Sequence, residues 1–329
     1  MSQKKWTEEN IPDLKGKIAI VTGSSSGIGF ETAKQLANKN ATVIIAVRNL
    51  KKGKDALDKI LAQNKNADVR IIEIDLSDLE SIKKFTTKFK SEFNKLHFLI
   101  NNAGVGQQGK LQDATYKDWD FGMGVNVGGV INGLVTVLPR ILKHGEEGHV
   151  VSTSSTNGLF SVGGLGIYTV SKYAVSAMME VLYMDLKGTN VSASVFFPGP
   201  VDTNLRVTTI TTRPLKYKNE NEPEAPPPPP QRPADAPKID PERIVKDPIE
   251  VGYRILRGIK RKDIFIMSHP VYGEGVVTRY KALMRSIPDE PPDHERDEVL
   301  RSFGAMINNL VYEEQTTPGA PDWDLSEEL

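Results

Sequence analysis

Short runs of β-branched and aliphatic residues alternate along the chain with longer segments of helical periodicity. Several of these runs are apolar at consecutive positions, which is typical of strands buried on both faces of a parallel sheet. This alternation predicts a doubly wound α/β sheet with helices on both faces. The predicted strands are residues 17–21, 42–47, 69–74, 96–100, 149–153, 191–197 and 263–267. The predicted helices are residues 27–38, 51–63, 79–93, 129–143, 166–186, 248–260, 276–285 and 296–310.

The regular alternation ends near Leu205. Residues 222–241 include five successive prolines at 226–230, which exclude a helix or a central strand and favour an extended polyproline II segment. We interpret 206–260 as a substrate loop or lid that contains this segment. The alternatives are a plain surface spacer and a ligand for a proline-recognition domain. Residues 271–329 are a C-terminal extension, and its acidic last 17 residues are a loosely ordered tail or an arm that docks on a neighbour. With a core over about 15–270, the chain 1–329 is predicted to be one domain.

Composition excludes several classes of function. Lys and Arg total 42 and so do Asp and Glu, so the formal net charge is zero and no nucleic-acid partner is expected. The chain has no cysteine, which excludes thiolate chemistry, and its five histidines show no ligand spacing, so no metal is predicted. No apolar run reaches about 18 residues, and the N-terminal segment lacks the apolar core of a secretory signal. We therefore expect a cytoplasmic protein with no membrane partner.

The first predicted strand leads directly into the sequence TGSSSGIG, residues 22–29, and then into an amphipathic helix. Glycines let the backbone turn sharply and approach a pyrophosphate closely, and a helix N-terminus presents unpaired N–H groups to the anion. A glycine-rich turn elsewhere would say little, but its position after the first strand predicts a dinucleotide site. The residues assigned to this site are Gly23, Ser25, Ser26, Gly27, Ile28 and Gly29.

The second predicted strand ends in Val47, where an NAD site would place an acidic residue to accept a hydrogen bond from the ribose 2′-hydroxyl. Arg48 and Asn49 follow at once. A guanidinium at this point can bind a 2′-phosphate bidentately, so NADP(H) is favoured over NAD(H). The alternative is that Arg48 is a solvated residue at a strand end.

Further candidates follow the third and fourth predicted strands. Asp75 and Leu76 are placed beside an adenine, and Asn102, Ala103 and Gly104 follow the fourth strand. Open α/β sheets bind ligands at the carboxyl ends of their strands, so both groups are assigned to the coenzyme site. In isolation, such short peptides would be turn residues.

Tyr168 and Lys172 are spaced i, i+4 on a predicted helix, which puts both side chains on one face. An ammonium near a phenol stabilises the phenolate, so we expect a pKa of Tyr168 lowered toward working pH and an acid/base role. Tyr183 and Lys187 have the same spacing. Ser155 precedes Tyr168 by 13 residues, whereas a valine stands at that distance before Tyr183, and this favours the first pair.

In these motifs the sequence resembles the short-chain dehydrogenase/reductase family, over residues about 17–205. The resemblance rests on TGSSSGIG, NNAG at 101–104, GVNVGG at 124–129, the serine with the YxxxK pair, and segment 197–203. It implies a Rossmann-type, mostly parallel seven-stranded sheet. It also implies that Tyr168 is the general acid/base, that Lys172 holds the nicotinamide ribose and that Ser155 orients the substrate carbonyl. Asn126 would support a proton relay. The further coenzyme contacts that it implies are Tyr168, Lys172, Pro198, Gly199, Val201 and Thr203.

A softer resemblance rests on residues 124–155 and 270–275. These segments look like longer bacterial members, including lignin-type benzylic alcohol dehydrogenases, and imply a roomy site for a bulky, aryl-bearing ketone or secondary alcohol. The family's usual assembly implies a homodimer or homotetramer. The expected activity is an NADP(H)-dependent carbonyl reductase or alcohol dehydrogenase. The alternatives are an NAD-dependent benzylic alcohol dehydrogenase and a non-catalytic nucleotide-binding sensor or scaffold.

Overall fold

The computed structural model describes residues 6–220, 245–291, 293–302, 312, 314 and 315. Within this part of the chain, all seven predicted strands are present and form one sheet in the order β3-β2-β1-β4-β5-β6-β7. Every neighbouring pair is parallel, which confirms the doubly wound, Rossmann-type prediction. The strands are β1 (Ile18–Thr22), β2 (Thr42–Val47), β3 (Val69–Glu73), β4 (Phe98–Asn101), β5 (Gly148–Thr153), β6 (Val191–Phe197) and β7 (Phe265–Met267).

Ten helices lie within the described residues, and two of them are joined. A π-helical turn, Gly124–Gly128, connects α4 to α5 so that the two run as one helix. The helices are α1 (Gly27–Asn38), α2 (Leu50–Gln63), α3 (Leu79–Glu92), α4 (Tyr116–Met123), α5 (Gly129–Lys143), α6 (Gly166–Asp185), α7 (Leu205–Thr211), α8 (Pro248–Arg261), α9 (Tyr272–Met284) and α10 (His294–Ser302).

Helices cover both faces of the sheet. On one face, Phe85 of α3, Ile141 of α5 and Met179 of α6 are buried in a single apolar cluster with strand side chains. On the other face, α1, α2 and α8 contribute a second cluster that includes Leu36 and Ile255. Because both faces are covered, every residue of β5 is buried, which explains why this strand is not alternating in sequence.

The strand order reverses at β1, which pairs with β2 on one side and with β4 on the other. From this point the chain builds the sheet toward β3 on one side and toward β7 on the other. A crevice opens between the carboxyl ends of β1 and β4, which is where open α/β sheets bind ligands. The motifs at residues 22–29 and 101–104 follow these two strands directly.

The structure differs from the sequence prediction mainly between the strands. Helices α4 and α7 were not predicted, and α9 begins at Tyr272 rather than at residue 276. The predicted helix 296–310 is helical as far as Ser302, and 303–310 lie outside the described residues. The proline-rich segment 222–241 and most of the acidic end also lie outside the described residues.

Two residues of the acidic end are described, and they contact their own subunit. The Gln315 side chain accepts a hydrogen bond from the Phe265 amide at 2.9 Å and donates one to the Phe265 carbonyl oxygen at 3.2 Å. Glu314 pairs with Lys187, at the end of α6. This part of the C-terminal extension therefore packs along the β7 edge of the sheet.

The continuous helix Tyr116–Lys143 is 28 residues long, with a mean hydropathy of 1.6 over its most apolar window. By length and composition it could cross a membrane, whereas the sequence predicted no such helix. One third of that window is buried in the structure. Val130, Val137 and Ile141 of this helix pack into the core beside the sheet, so the apolar pattern is partly explained by core packing.

Candidate active site

The glycine-rich turn after β1 has the backbone that the sequence motif requires. Gly23 and Gly27 adopt φ values of +65° and +59°, in the left-handed region that favours glycine. A Cβ atom on Gly29 would lie 2.4 Å from the Asn102 amide nitrogen, so this position also needs glycine. Helix α1 begins at Gly27, and the Ser26 side chain does not cap it. The first N–H groups of α1 are therefore available to an anion such as a pyrophosphate.

The predicted coenzyme residues meet at a cavity of about 340 Å³, a size typical of ligand sites. The cavity extends from the start of α1 past the ends of β2, β3 and β4 to the Tyr168 side of α6. Sixteen of the predicted residues line it: Gly23, Ser25, Ser26, Gly27, Ile28, Arg48, Asn49, Asp75, Leu76, Asn102, Ala103, Gly104, Tyr168, Lys172, Pro198 and Thr203.

Three predicted coenzyme residues do not line this cavity. Gly29 packs against Asn102, as described above. The Gly199 amide donates to the Ser268 hydroxyl at 2.8 Å, and Val201 forms a β-bridge with Lys246. These residues shape the turns around the cavity rather than its wall.

Thr22, which the sequence reasoning did not single out, ties the loop after β4 to the end of β1. Its hydroxyl oxygen accepts hydrogen bonds from the amides of Asn102 and Ala103, both at 3.0 Å. The Asn102 side chain donates back to the Thr22 carbonyl oxygen at 3.1 Å. These bonds hold two walls of the cavity in a fixed relation. The sequence feature that could have indicated this role is a threonine at the last position of β1.

Tyr168 lies at the end of the cavity and hydrogen bonds with Ser155. Burial raises the pKa of Tyr168, and the hydrogen bond with Ser155 opposes that rise only in part. The sequence predicted a pKa lowered by Lys172, and this prediction is wrong for the structure described here. The Lys172 ammonium lies 5.6 Å from the centre of the Tyr168 ring, and burial is the largest influence on the pKa of the tyrosine. At neutral pH the phenol is therefore protonated and ready to act as an acid.

Lys172 is buried beneath the cavity. Its ammonium donates a hydrogen bond to the Thr153 carbonyl oxygen at 2.9 Å, and burial lowers its pKa to about 8. Thr153 also lines the cavity, and its buried hydroxyl oxygen has no hydrogen-bond partner within the described part of the chain. A buried polar atom without a partner is costly, so it fits a ligand that brings one.

Asn126 lies in the π-helical turn and holds the chain that leaves β4. Its side-chain oxygen accepts from the Val105 amide at 2.8 Å, and its side-chain nitrogen donates to the Val105 carbonyl oxygen at 3.0 Å and to the Ser171 hydroxyl at 2.9 Å. A Cβ on Gly104 would lie 3.1 Å from the Asn126 oxygen and 3.5 Å from the Lys172 nitrogen. Gly104 therefore lets the asparagine and the lysine lie close together.

Arg48 lies at the mouth of the cavity, directly after the buried Val47. Its guanidinium donates to the Thr212 carbonyl oxygen at 2.9 Å. Asn49 uses its side chain to cap α2 by accepting from the Lys52 amide at 2.9 Å. Lys52 also lines the cavity. Lys52 is not among the residues predicted from the sequence, so it is a second cation that spacing alone did not reveal.

A model of the short chain dehydrogenase family matches residues 17–214. The chain belongs to the short-chain dehydrogenase family. A C alpha-dehydrogenase from Sphingobium sp. is 28% identical over 306 residues, which are 89% of this chain and 94% of that protein. This relative confirms the resemblance to lignin-type dehydrogenases. The family assignment makes this chain an oxidoreductase that acts on alcohol or ketone groups with a nicotinamide coenzyme.

Two solved members of the family contain different coenzymes. A short chain dehydrogenase/reductase from Burkholderia phymatum, solved with NAD, has a TM-score of 0.73 at 27% identity, covering 85% of this chain and 98% of that one. A metagenomic short-chain oxidoreductase, solved with NADP, has a TM-score of 0.54 at 29% identity, covering 57% of this chain and 83% of that one. Family membership alone therefore does not select the coenzyme.

Two of this dehydrogenase's histidines, which show no ligand spacing in the sequence, meet at the amino ends of β4 and β5, away from the cavity. Ligand atoms of His97, His144 and Glu146 lie within 4.8 Å of one another. The ring nitrogens already have partners: those of His97 contact the Ile18 amide and Glu146, and those of His144 contact the Glu146 amide and the Leu96 carbonyl oxygen. The group therefore acts as a hydrogen-bonded link between β4 and β5. The absence of a metal stays a prediction.

Proposed function

We propose that this dehydrogenase is an NADP(H)-dependent carbonyl reductase that also catalyses the reverse oxidation of the alcohol. The observation that carries the proposal is Tyr168 at the end of the cavity, hydrogen bonded to Ser155 and with Lys172 beside it. A phenol that keeps its proton at neutral pH is an acid that can protonate an alkoxide. Reduction of the carbonyl is the direction in which this phenol acts as the acid.

The residues that would hold the coenzyme fit its parts in order. The N-terminus of α1 suits the pyrophosphate, Asp75 and Leu76 lie beside the adenosine end, and Lys172 lies at the nicotinamide end. The Thr153 hydroxyl, which has no partner within the described residues, offers one further hydrogen bond at the nicotinamide end. When bound, the coenzyme supplies or accepts the hydride, and the chain supplies the remaining chemistry.

The chain's own residues act on the substrate oxygen. Ser155 donates a hydrogen bond to the carbonyl oxygen and orients it. Tyr168 gives its proton to the same oxygen as negative charge develops there. The buried ammonium of Lys172 stabilises that charge, because its interactions are strong where water is excluded. Asn126 holds the Val105 segment in place and contacts Ser171, so its role is to position the site.

NADP(H) is favoured because two cations border the ribose end of the cavity and no carboxylate ends β2. Arg48 and Lys52 line the same mouth, and the last residue of β2 is Val47. A 2′-phosphate would be bound by both cations, whereas NAD(H) would leave them without an anionic ligand. The second candidate is an NAD-dependent benzylic alcohol dehydrogenase, which the NAD complex of the Burkholderia relative favours.

The substrate side of the cavity is apolar. Its wall includes Val105, Phe121, Val125 and Leu205. Such a surface suits a bulky ketone or secondary alcohol with an aryl group, as does the similarity to the C alpha-dehydrogenase. A non-catalytic sensor or scaffold is disfavoured, because the sequence contains the whole set of Asn126, Ser155, Tyr168 and Lys172.

We also propose that the subunits pair through α5 and α6. Both helices lie on the same face of the sheet and expose large apolar side chains: Ile131 and Val135 on α5, and Val170 and Val181 on α6. Exposed apolar groups of this kind are typical of subunit contacts. The proposed location is the cytoplasm.

The experiment is a screen of aryl and alkyl ketones with NADPH and with NADH, followed by coenzyme absorbance. We expect aryl ketones to be reduced and kcat/KM to be at least about tenfold higher with NADPH, which is the usual effect of one or two charge-assisted hydrogen bonds. A higher kcat/KM with NADH would select the second candidate. Tight coenzyme binding without turnover of any ketone or alcohol would favour the sensor.

A further inference from the structure

One wall of the cavity is formed by a segment of helical turns that contains no strand. We define the strap as residues 205–217, which include α7 and the 3-10 turn Leu215–Tyr217. Leu205, Thr208 and Thr212 of the strap line the cavity. The position of this wall therefore depends on the side-chain contacts of the strap.

The strap is anchored by a buried ion pair. The Arg213 guanidinium donates to a carboxylate oxygen of Asp118 at 2.8 Å, and the two side chains are only 5% and 12% exposed. The same guanidinium nitrogen donates to the Tyr217 carbonyl oxygen at 2.5 Å, which fixes the end of the strap. The guanidinium also lies 5.2 Å from the centre of the Phe121 ring, in a cation–π contact.

The Asp118 carboxylate, which binds the Arg213 guanidinium, is itself held in place by hydrogen bonds. It lies in the first turn of α4 and accepts hydrogen bonds from the amide and hydroxyl of Thr115, at 2.8 and 2.7 Å. Burial alone would raise the pKa of Asp118, but the hydrogen bonds from Thr115 and Arg213 outweigh burial and hold it below its ordinary value. The carboxylate is therefore ionised, and Thr115 holds it in a fixed direction beside Arg213.

The same carboxylate is connected to the catalytic end of the cavity. Gln107 donates to Asp118 at 2.9 Å, and it lies two residues after Val105, whose backbone is held by Asn126. Between them, the Gly106 amide donates to the Thr209 hydroxyl of the strap at 2.7 Å. Residues 105–107 are thus held between the helix that carries Asn126 and the strap.

A buried ion pair is weak as a source of stability, because the cost of removing both charges from water offsets their attraction. Its advantage is geometric, since a planar guanidinium fixes both the distance and the direction of its partner. Phe121, on which Arg213 lies, also lines the cavity. The pair therefore fixes two neighbouring pieces of the same apolar wall.

We propose that Asp118 and Arg213 are positioning residues for this reaction, and that together they hold the strap 205–217 where it forms the substrate wall. The proposal rests on the proposed carbonyl reductase function for its kinetic test. Neither residue touches Tyr168 or Ser155 in the contacts described above. Their loss should weaken binding of the ketone much more than it slows proton transfer.

The test uses Asp118→Asn, Arg213→Met and the double variant in the full chain. We expect each single variant to raise the ketone KM by about tenfold or more while kcat changes by less than about threefold, since a displaced wall mainly impairs positioning. Because the two residues act as a unit, the double variant should be no worse than the worse single variant. Arg213→Lys, which keeps the charge but not the planar fork, should fold and give an intermediate KM.

The matched control is Asp263→Asn. Asp263 is also a buried carboxylate, 6% exposed, which pairs with Arg261 at 3.4 Å, but it precedes β7 at the sheet edge opposite the cavity. This variant should lose stability without a change in the ketone KM. If Asp118→Asn and Arg213→Met also lower only the melting temperature and leave KM unchanged, the pair is purely structural and the proposal is wrong.

A second measurement does not depend on turnover. Hydrogen exchange of the Thr208 and Thr212 amides, which donate within α7, should be faster in Arg213→Met than in the wild type or in Asp263→Asn. If the wild type reduces no ketone, the proposed function fails while this measurement still tests the anchor. Unchanged exchange in Arg213→Met would overturn the positioning role even in an active enzyme.

Discussion

The Arg48 guanidinium donates a hydrogen bond to the carbonyl oxygen of Thr212, in the strap, at 2.9 Å. One residue further on, Arg213 anchors the strap to Asp118. The residue proposed to recognise the 2′-phosphate therefore also holds the wall of the cavity. A guanidinium carries several N–H donors, so it can keep the Thr212 contact and bind a phosphate at the same time. Recognition of the coenzyme and position of the strap are thereby linked through one side chain.

Replacement of Arg48 by alanine separates these two roles. Loss of the phosphate contact affects NADPH alone, whereas loss of the Thr212 contact affects both coenzymes. We expect Arg48→Ala to raise the NADPH KM by about ten- to hundredfold, the usual effect of losing charge-assisted hydrogen bonds. The NADH KM should rise much less. Steady-state kinetics with both coenzymes measure the two effects, and equal increases would show that Arg48 only holds the strap.

Lys52 gives an independent test of the same site. Lys52 lines the cavity, while its neighbour Lys51 is exposed and does not. We expect Lys52→Ala to raise the NADPH KM several-fold without altering the NADH KM, because an ammonium acts on a phosphate as a point charge. Lys51→Ala is the matched control and should change neither. If the two variants behave alike, the local charge rather than a direct contact is responsible.

Much of the fold was predictable because the strands are buried on both faces. Residues 42–47 and 191–197 form β2 and β6 with the predicted bounds, since continuous apolar runs leave few alternatives. Helix α7 was missed because its sequence, LRVTTIT, is rich in β-branched residues that do not favour a helix. In the structure, the Thr208 and Thr209 hydroxyls bond to carbonyl oxygens four residues earlier, and the Arg213–Asp118 pair holds the helix in place. Those two partners are 95 residues apart, a contact that local pattern cannot reveal.

The placement of the site residues was predictable because it follows from their spacing. Their pKa values were not predictable, because these depend on burial. The i, i+4 spacing correctly placed Tyr168 and Lys172 on one face of α6, and both line the cavity. Spacing could not reveal that Lys172 is buried and Tyr168 partly buried, and this desolvation raises the pKa of Tyr168 while it lowers that of Lys172. The predicted direction of the Tyr168 pKa shift was wrong, because desolvation disfavours the charged form of either group.

Tyr168→Phe tests the acid directly. The phenyl ring keeps the packing of Tyr168 but has no proton to give, so turnover should fall by at least about a hundredfold, the usual loss for a general acid. The dissociation constant of NADPH, measured by fluorescence, should stay within about threefold, because the site binds the coenzyme mainly elsewhere. Tyr183→Phe removes the hydroxyl from the other tyrosine with a lysine four residues on and should leave activity intact. Survival of most activity in Tyr168→Phe would contradict the assignment.

Lys172 should make stability depend on pH in a definite direction. Burial lowers its pKa from 10.5 to about 8, so folding releases its proton between these values. The charged form is therefore disfavoured in the folded state at neutral pH, by at most on the order of 3 kcal/mol, and this penalty disappears as pH rises toward the unfolded value. In urea unfolding, the wild type should gain stability relative to Lys172→Met as pH rises above about 8. Parallel stability curves for the two proteins would show that the lysine is not desolvated.

The exposed apolar face of α5 should hold the subunits together. Val135 is 70% exposed at the middle of this helix, on the sheet face that α6 shares. A carboxylate buried in a subunit contact would lose its hydration without gaining a partner, so Val135→Glu should convert the oligomer to monomer. Sedimentation velocity at several protein concentrations measures the change. Leu50→Glu is the matched control, because Leu50 is 50% exposed but lies on α2, at the opposite face of the sheet. A wild type that sediments as a monomer, or equal dissociation of both variants, would rule out pairing through α5.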